Sequence, residues 1–162
     1  MCEKRNHHGA SRLVALAGVF SLLALGSTQV LSGQDGNKSC NDGTIKGTYG
    51  IQMQGSRPAG PGATETVIGV VLRTFDGRGG FEQVDNIKGS VSGITLDRSG
   101  EGTYEVAADC SGVTQFQPDP ENPGIVIEEK FVIVNRGDEL RSITTSPPPL
   151  MVTSTGKRVR GH

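Results

Sequence analysis

The chain has 162 residues, enough for one domain of ordinary size, and its 24 glycines and 8 prolines indicate many turns. The formal net charge of −1 argues against a nucleic-acid-binding protein that depends on bulk positive charge. The absence of tryptophan, with only two tyrosines and five phenylalanines, argues against a surface on which bases stack.

The first segment of the chain is typical of an export leader. Basic residues precede an uncharged apolar run over residues 13–25, which is too short to span a bilayer. Small residues then supply cleavage points at 24–26 and 31–33, and Gln34 stands where a lipoprotein would carry its lipidated cysteine. We predict a signal peptide and cleavage region over residues 1–33, and a secreted or periplasmic protein with no membrane span after cleavage. An uncleaved anchor is the alternative.

Two cysteines, Cys40 and Cys110, follow that leader. Because exported proteins meet an oxidising compartment, we predict a disulfide between them; two buried free thiols are the alternative. The one histidine beyond the leader is His162 at the end of the chain. This shortage argues against Ser-His and Cys-His enzymes and against histidine-based zinc sites. No cofactor-binding motif is present, so no cofactor is predicted.

Segments in which polar and apolar residues alternate follow one another from residue 45 onward, separated by glycine-rich and proline-rich turns. This alternation predicts β-strands with one buried face. Nine strands are predicted, over residues 45–54, 64–75, 81–87, 90–96, 102–108, 113–117, 125–135, 139–145 and 150–155. The stretches 55–63 and 118–124 are predicted loops, and residues 97–100 a turn between two strands.

Eight or nine short strands joined by tight turns predict one all-β domain over residues 34–162. We predict an antiparallel up-and-down β-barrel of about eight strands, because closure removes the sheet edges that an open sheet must protect. A β-sandwich is the alternative. Lys157, Arg158 and Arg160 are expected in a short basic C-terminal tail that keeps the protein soluble, with contact to an acidic surface as the alternative.

Several turn and cysteine motifs resemble those of small exported bacterial proteins of unassigned activity, and they cover nearly all of the chain beyond the leader. These motifs are Lys46-Gly47-Thr48-Tyr49-Gly50 after Cys40, Phe75-Asp76-Gly77-Arg78-Gly79-Gly80-Phe81, Gly102-Thr103-Tyr104, Asp109-Cys110-Ser111-Gly112, and Val152-Thr153-Ser154-Thr155-Gly156-Lys157-Arg158. The resemblance implies a single calycin-like barrel, similar in architecture to lipocalins and to the allene oxide cyclase barrel. It implies no catalytic residue, and the Gly-x-Trp signature of lipocalins is missing.

Glu129 interrupts an apolar row in the predicted strand 125–135, where Ile127 and Phe131 share its face. A carboxylate on a buried face must be paired or become neutral, and Arg73, on the apolar face of strand 64–75, has the right charge to pair with it. Glu129 is therefore a candidate general acid/base or a polar anchor in a barrel cavity. If the register is shifted by one residue, Glu129 is instead in solvent.

Two further candidates are Tyr49 and Tyr104, which occur in two copies of Gly-Thr-Tyr and, with Arg73 and Glu129, are the predicted ligand-binding residues. Core aromatics with no ligand role are the alternative. Asp119 and Glu121 lie close together in a proline-rich loop, but they lack the spacing of a Ca²⁺ loop, so no metal site is predicted.

The sequence as a whole predicts an exported, disulfide-stapled barrel that binds a partner or has a structural role, without enzymatic activity, in the cell envelope or outside the cell. If it binds a ligand, the barrel would hold a small apolar molecule. A cofactor-free isomerase or cyclase that uses Glu129 with a tyrosine is one alternative. A cell-surface interaction module that uses loops 55–63 and 118–124 is another.

Overall fold

A computed structural model describes residues 39–118 and 124–160. The predicted signal peptide over residues 1–33, together with Asp119, Glu121 and His162, lies outside the described residues. Eight antiparallel strands form a closed barrel in which each strand pairs with the next along the chain and the last pairs with the first. The predicted up-and-down β-barrel is therefore confirmed. The strands are β1 (Gly47–Pro58), β2 (Thr64–Phe75), β3 (Gly80–Gly89), β4 (Gly93–Val106), β5 (Ser111–Phe116), β6 (Ile127–Val134), β7 (Glu139–Ser146) and β8 (Met151–Arg158).

The number of strands is eight because the predicted turn at residues 97–100 is wrong. The two strands predicted on either side of it form one continuous strand, β4. Leu96 and Asp97 together face the single residue Asn86 of β3, with Asp97 at a φ of 53°. The Asp97 N–H donates a hydrogen bond of 3.0 Å to the Asn86 side-chain oxygen. This bulge absorbs the extra residue, so the strand continues beyond it.

The inner face of the barrel follows the predicted alternation and is filled by side chains. Two groups of apolar residues occupy it, one larger and one smaller. The larger comprises Ile45, Tyr49, Ile51, Val71, Phe75, Phe81, Tyr104, Val106, Phe116, Phe131 and Leu140, and the smaller Val67, Ile87 and Val152. Packing is close: a Cβ placed on Gly102 would lie 2.6 Å from Cζ of Phe81, so only glycine leaves room for that ring.

One end of the barrel is closed by a 3₁₀ turn over Asp42–Ile45. Ile45 is completely buried, and the Asp42 carboxylate accepts a 2.8 Å hydrogen bond from the Val106 N–H. The predicted disulfide is confirmed: Cys40, just before this turn, is bonded to Cys110 in the connection between β4 and β5, with 5.0 Å between their Cα atoms. The disulfide therefore ties the closing turn to the wall of the barrel.

The last strand is longer than predicted, and it includes residues expected in the basic tail. Lys157 and Arg158 lie in β8, where Arg158 is directly opposite Tyr49 of β1. The Arg158 guanidinium stacks 4.8 Å from the centre of the Tyr49 ring and donates a 2.8 Å hydrogen bond to the Gly137 carbonyl. It therefore supports the closed end of the barrel from the C-terminal side. None of the helices in residues 39–118 and 124–160 has the length and hydropathy needed to cross a membrane.

Candidate functional site

A network of polar side chains crosses the interior of the barrel between opposite walls. Arg73 on β2 donates a 2.8 Å hydrogen bond to Oε2 of Glu129 on β6, and the Thr114 hydroxyl donates one of 2.9 Å to the same oxygen. The side chain of Glu129 is only 12% exposed and that of Arg73 only 7%. Glu129 thus points into the barrel, as the alternation predicts, and the alternative in which solvent surrounds it is wrong.

The same network continues along the inner faces of β3 and β4. Arg73 donates from Nε to the Gln83 side-chain oxygen at 2.8 Å, and Gln83 donates to Asp85 at 3.4 Å. Arg98, partly exposed at the edge of the network, pairs with Asp85 at 3.0 Å. Two cations and two carboxylates therefore alternate, and within the described part of the chain no buried side-chain polar atom lacks a partner. Networks satisfied in this way stabilise one arrangement of the core.

Aromatic rings hold the Arg73 guanidinium from two further sides. Its central carbon lies 4.5 Å from the centre of the Phe81 ring and 5.3 Å from that of Phe116. Cation–π contacts of this kind strengthen when the cation is removed from water. Arg73 is thus held by its charge, its hydrogen bonds and its contacts with the two rings.

The space beside this network is small. A cavity of about 20 Å³ is bordered by Arg73, Thr114 and Glu129 together with Ser142 and Ser154. That volume holds about one water molecule, whereas pockets for small molecules have roughly 300–1,000 Å³. The carboxylate of Glu129 consequently has no room beside it for a substrate in this arrangement.

The two predicted tyrosines are both buried, and their hydroxyls are engaged with backbone carbonyls at the closed end. Tyr49 donates to the Gly137 carbonyl, and Tyr104 donates to the Asp42 carbonyl at 3.1 Å. Burial, only partly offset by the Arg158 guanidinium, raises the pKa of Tyr49 to about 12. Neither hydroxyl shares a hydrogen bond with Glu129 in the described residues. The structure thus joins Arg73 to Glu129 but not to the tyrosine hydroxyls, and a ligand-binding role for these four residues stays a prediction.

A second polar cluster, which the sequence interpretation missed, lies where β1 and β2 are joined. Arg57 and Glu65 are directly opposite in these strands and form an ion pair of 2.7 Å. The Glu65 carboxylate also accepts hydrogen bonds of 2.9 Å from the N–H groups of Val91 and Ser92. The hydrogen bonds from Ser92, Arg57 and Val91 lower the pKa of Glu65 to about 2. The sequence carries a signal for this pair, because Arg57 and Glu65 flank the turn symmetrically. The predicted loop over residues 55–63 is wrong in its first part, since β1 continues to Pro58.

The cluster around Glu65 leads to a pH-dependent prediction. Glu65 has a pKa of about 2 in the folded chain, against 4.5 for a free side chain. Its ionised form therefore stabilises the fold, and this contribution is fully present at pH values above the unfolded pKa of 4.5. That contribution is lost as the pH falls through the folded pKa. We expect Glu65→Gln to lower the urea midpoint clearly at about pH 6 and much less at about pH 2. The exposed Glu105→Gln is the control; a Glu65→Gln loss that is equal at both pH values would contradict the prediction.

A groove of about 280 Å³ crosses the outside of the barrel over β1 to β4. Its walls include Ile68 and Val70 of β2 and Ile94 and Leu96 of β4, and these apolar side chains continue toward the closed end. We define the outer apolar face as six residues that are 38–65% exposed: Ile68, Val70, Leu72, Val84, Ile94 and Leu96. The sequence carried a signal for this face, since both faces of strand 64–75 are apolar.

Comparisons with protein-family models, with curated proteins and with solved structures give no match. A function for this chain therefore follows from the chemistry of its own surfaces and not from a relative.

Proposed function

We propose that this chain is an exported, non-enzymatic interaction protein whose barrel is a rigid scaffold and whose binding surface is the outer apolar face. One observation carries the proposal: the interior is filled by side chains, while six large apolar side chains are exposed together on one side. Monomers rarely expose apolar patches larger than a few hundred Å², and the largest patch on a monomer is often a binding site.

The register of the strands makes these side chains neighbours. Leu72 is directly opposite Val84, and Ile68 is opposite Lys88, which is itself opposite Ile94. Side chains at directly opposite positions lie about 5 Å apart. The outer apolar face therefore spans three strands, with Asn86 and Lys88 of β3 between the apolar residues of β2 and β4. The wall beneath it is rigid because every strand of the barrel is paired on both sides along part of its length.

Three further features support the exported, calycin-like part of the proposal. The basic and apolar leader is typical of exported chains, a disulfide is most stable in an oxidising compartment, and eight antiparallel strands in one barrel agree with a calycin-like architecture. Lipocalin-type barrels hold their ligand inside. In this chain, a small apolar ligand would find more space in the outer groove than in the interior.

The enzyme alternative gains no support from the site. A general acid needs to be within hydrogen-bond reach of the group it protonates. Glu129 reaches Arg73 and Thr114, and the adjoining cavity of about 20 Å³ admits a water molecule but no substrate. The proposal therefore assigns the Glu129 network to stability and not to chemistry.

A charge placed in the middle of the outer apolar face tests this function. We expect Val70→Asp to weaken the binding of Nile red, an uncharged apolar dye, by about tenfold or more in a fluorescence titration at low protein concentration, since a carboxylate in the groove must stay hydrated. Val132→Asp is the matched control, because Val132 is 50% exposed on the outside of β6 and Val70 is 58% exposed. Equal effects of the two substitutions, or no dye binding by the unmodified protein, would refute the proposal.

A further inference from the structure

We propose that the outer apolar face is the interface of a two-fold symmetric dimer, so that its occupant is a second copy of this chain; the inference rests on the proposed function. It is drawn from the distribution of charge at the two ends of the face. A two-fold contact requires a surface that is complementary to itself, so that each residue at one end meets its counterpart at the other end.

Strand β3 carries opposite charges at the two ends of its outward row. Its outward residues are, in order, Glu82, Val84, Asn86 and Lys88, all outside the buried set. At about 3.3 Å per residue, Glu82 and Lys88 lie roughly 20 Å apart. A two-fold axis that lies in the interface, across the strands and midway along this row, places Lys88 of each copy against Glu82 of the other. Two ion pairs then flank a centre made of Val84 and Asn86 of β3 and the apolar residues of β2 and β4.

In the part of the chain that the structure describes, one end of the face carries carboxylates without a cation, and the other end carries a lysine without a carboxylate. Glu82 is directly opposite Glu101 of β4, and both side chains are exposed. Like charges at directly opposite positions repel, so this pair favours the approach of a cation. Among residues 39–118 and 124–160, no ion pair involves Glu82, Glu101 or Lys88. Lys88 of a second copy supplies the missing cation, and the Glu82–Glu101 pair supplies the missing anion.

The face is large enough to form the apolar part of a contact between two copies. Six large side chains with this exposure present on the order of 500 Å² of apolar surface, within the range of the largest patches on monomers. A stable contact covers about 800 Å² on each partner, and the polar residues around the face, among them Gln52 and Gln54, supply the remainder. A lipid surface is disfavoured, because the two carboxylates at one end would face anionic headgroups.

Charge reversal tests the dimer without disturbing the fold, because both charged residues are on the surface. We expect sedimentation equilibrium of the purified, oxidised protein to show reversible dimers. Lys88→Glu and Glu82→Lys should each weaken dimerisation by about tenfold or more, since each places like charges together at both ends. The double variant, with both charges exchanged, should restore the wild-type dimerisation constant. Lys130→Glu, a reversal at an exposed residue of β6, should leave it unchanged.

The outcomes separate this inference from the function on which it rests. A dimer should exclude Nile red, so dye binding per chain is expected to fall as the protein concentration rises. A protein that stays monomeric at every concentration but binds the dye through Val70 would overturn the dimer and leave the proposed function standing. Single reversals without effect, or a double variant that fails to recover, would also overturn it. A monomer whose dye binding ignores Val70→Asp would refute both.

Discussion

Replacing Glu129 with alanine is expected to lower the free energy of unfolding by about 3–5 kcal/mol, because the substitution leaves a charged arginine inside the barrel without its carboxylate. The Arg73 side chain is only 7% exposed and its guanidinium lies against the rings of Phe81 and Phe116, so it has no short route to water. The Thr114 hydroxyl loses its acceptor as well. Urea denaturation followed by far-ultraviolet circular dichroism measures this loss in a protein without tryptophan.

A double variant separates two contributions to the free energy of unfolding: the loss caused by an unpaired buried charge, and the net stabilisation that the ion pair provides. Arg73→Met together with Glu129→Leu removes both charges and keeps the volume apolar, and a pair replaced in this way is often neutral or even stabilising. We expect the double variant to be more stable than Glu129→Ala alone. A double variant that is as unstable as the single one, or a single loss below about 1 kcal/mol, would show that the unpaired Arg73 charge is not the cause of the loss. Glu105→Ala, on the exposed side of β4, controls for the loss of a carboxylate.

The parts of the fold that the sequence could predict are those that depend on local alternation and turn chemistry. The strand predicted over residues 64–75 agrees with β2 because both ends are marked, by a glycine- and proline-rich loop and by the turn that follows Phe75. The inward face of β6 also followed from alternation alone, which is why Glu129 could be singled out. Alternation is a property of one strand and does not depend on its neighbours, so it can be recognised from the sequence alone.

The parts that could not be predicted depend on partners far away in the chain. Residues 97–100 have the composition of a turn, yet they continue β4. Asp85 on β3 forms an ion pair with Arg98, and the bulge at Asp97 lets the pairing of β3 with β4 continue beyond the extra residue. The contact of Arg73 with Glu129 joins residues 56 positions apart, and it exists because the sheet closes into a barrel. Long-range pairing of this kind outweighs local propensity.

The outer apolar face was missed for a different reason. A strand with apolar residues on both faces is usually interpreted as buried on both sides. In this barrel only one side of β2 is covered within the described chain, so Ile68, Val70 and Leu72 remain exposed. Composition shows that a residue avoids water, but it does not show whether the chain itself or a partner removes the water. Only the three-dimensional arrangement of the strands decides between the two.

Removing the disulfide by Cys40→Ser with Cys110→Ser is expected to lower the free energy of unfolding by about 4 kcal/mol. The bond joins residues separated by 70 positions, and a cross-link of that span restricts the unfolded chain strongly. It also anchors the 3₁₀ turn over Asp42–Ile45, whose Ile45 is completely buried. Urea denaturation of the double variant measures the loss, and unmodified protein kept in reductant should show a loss of the same size.

The origin of that loss can be tested at the outer apolar face. If the disulfide acts mainly on the unfolded chain, the variant remains folded without urea, and Nile red binds it as it binds the unmodified protein at the same low concentration. If the disulfide instead holds the closing turn in place, amide hydrogen exchange should rise first at Ile45 and at Val106, whose N–H is bonded to Asp42. A loss below about 1 kcal/mol in both the double variant and the reduced protein would show that the paired strands alone stabilise the barrel. Because Cys40 packs against the interior core, whereas the outer apolar face lies on the outside of the barrel, we expect the dye-binding face to be the last part of the molecule to respond.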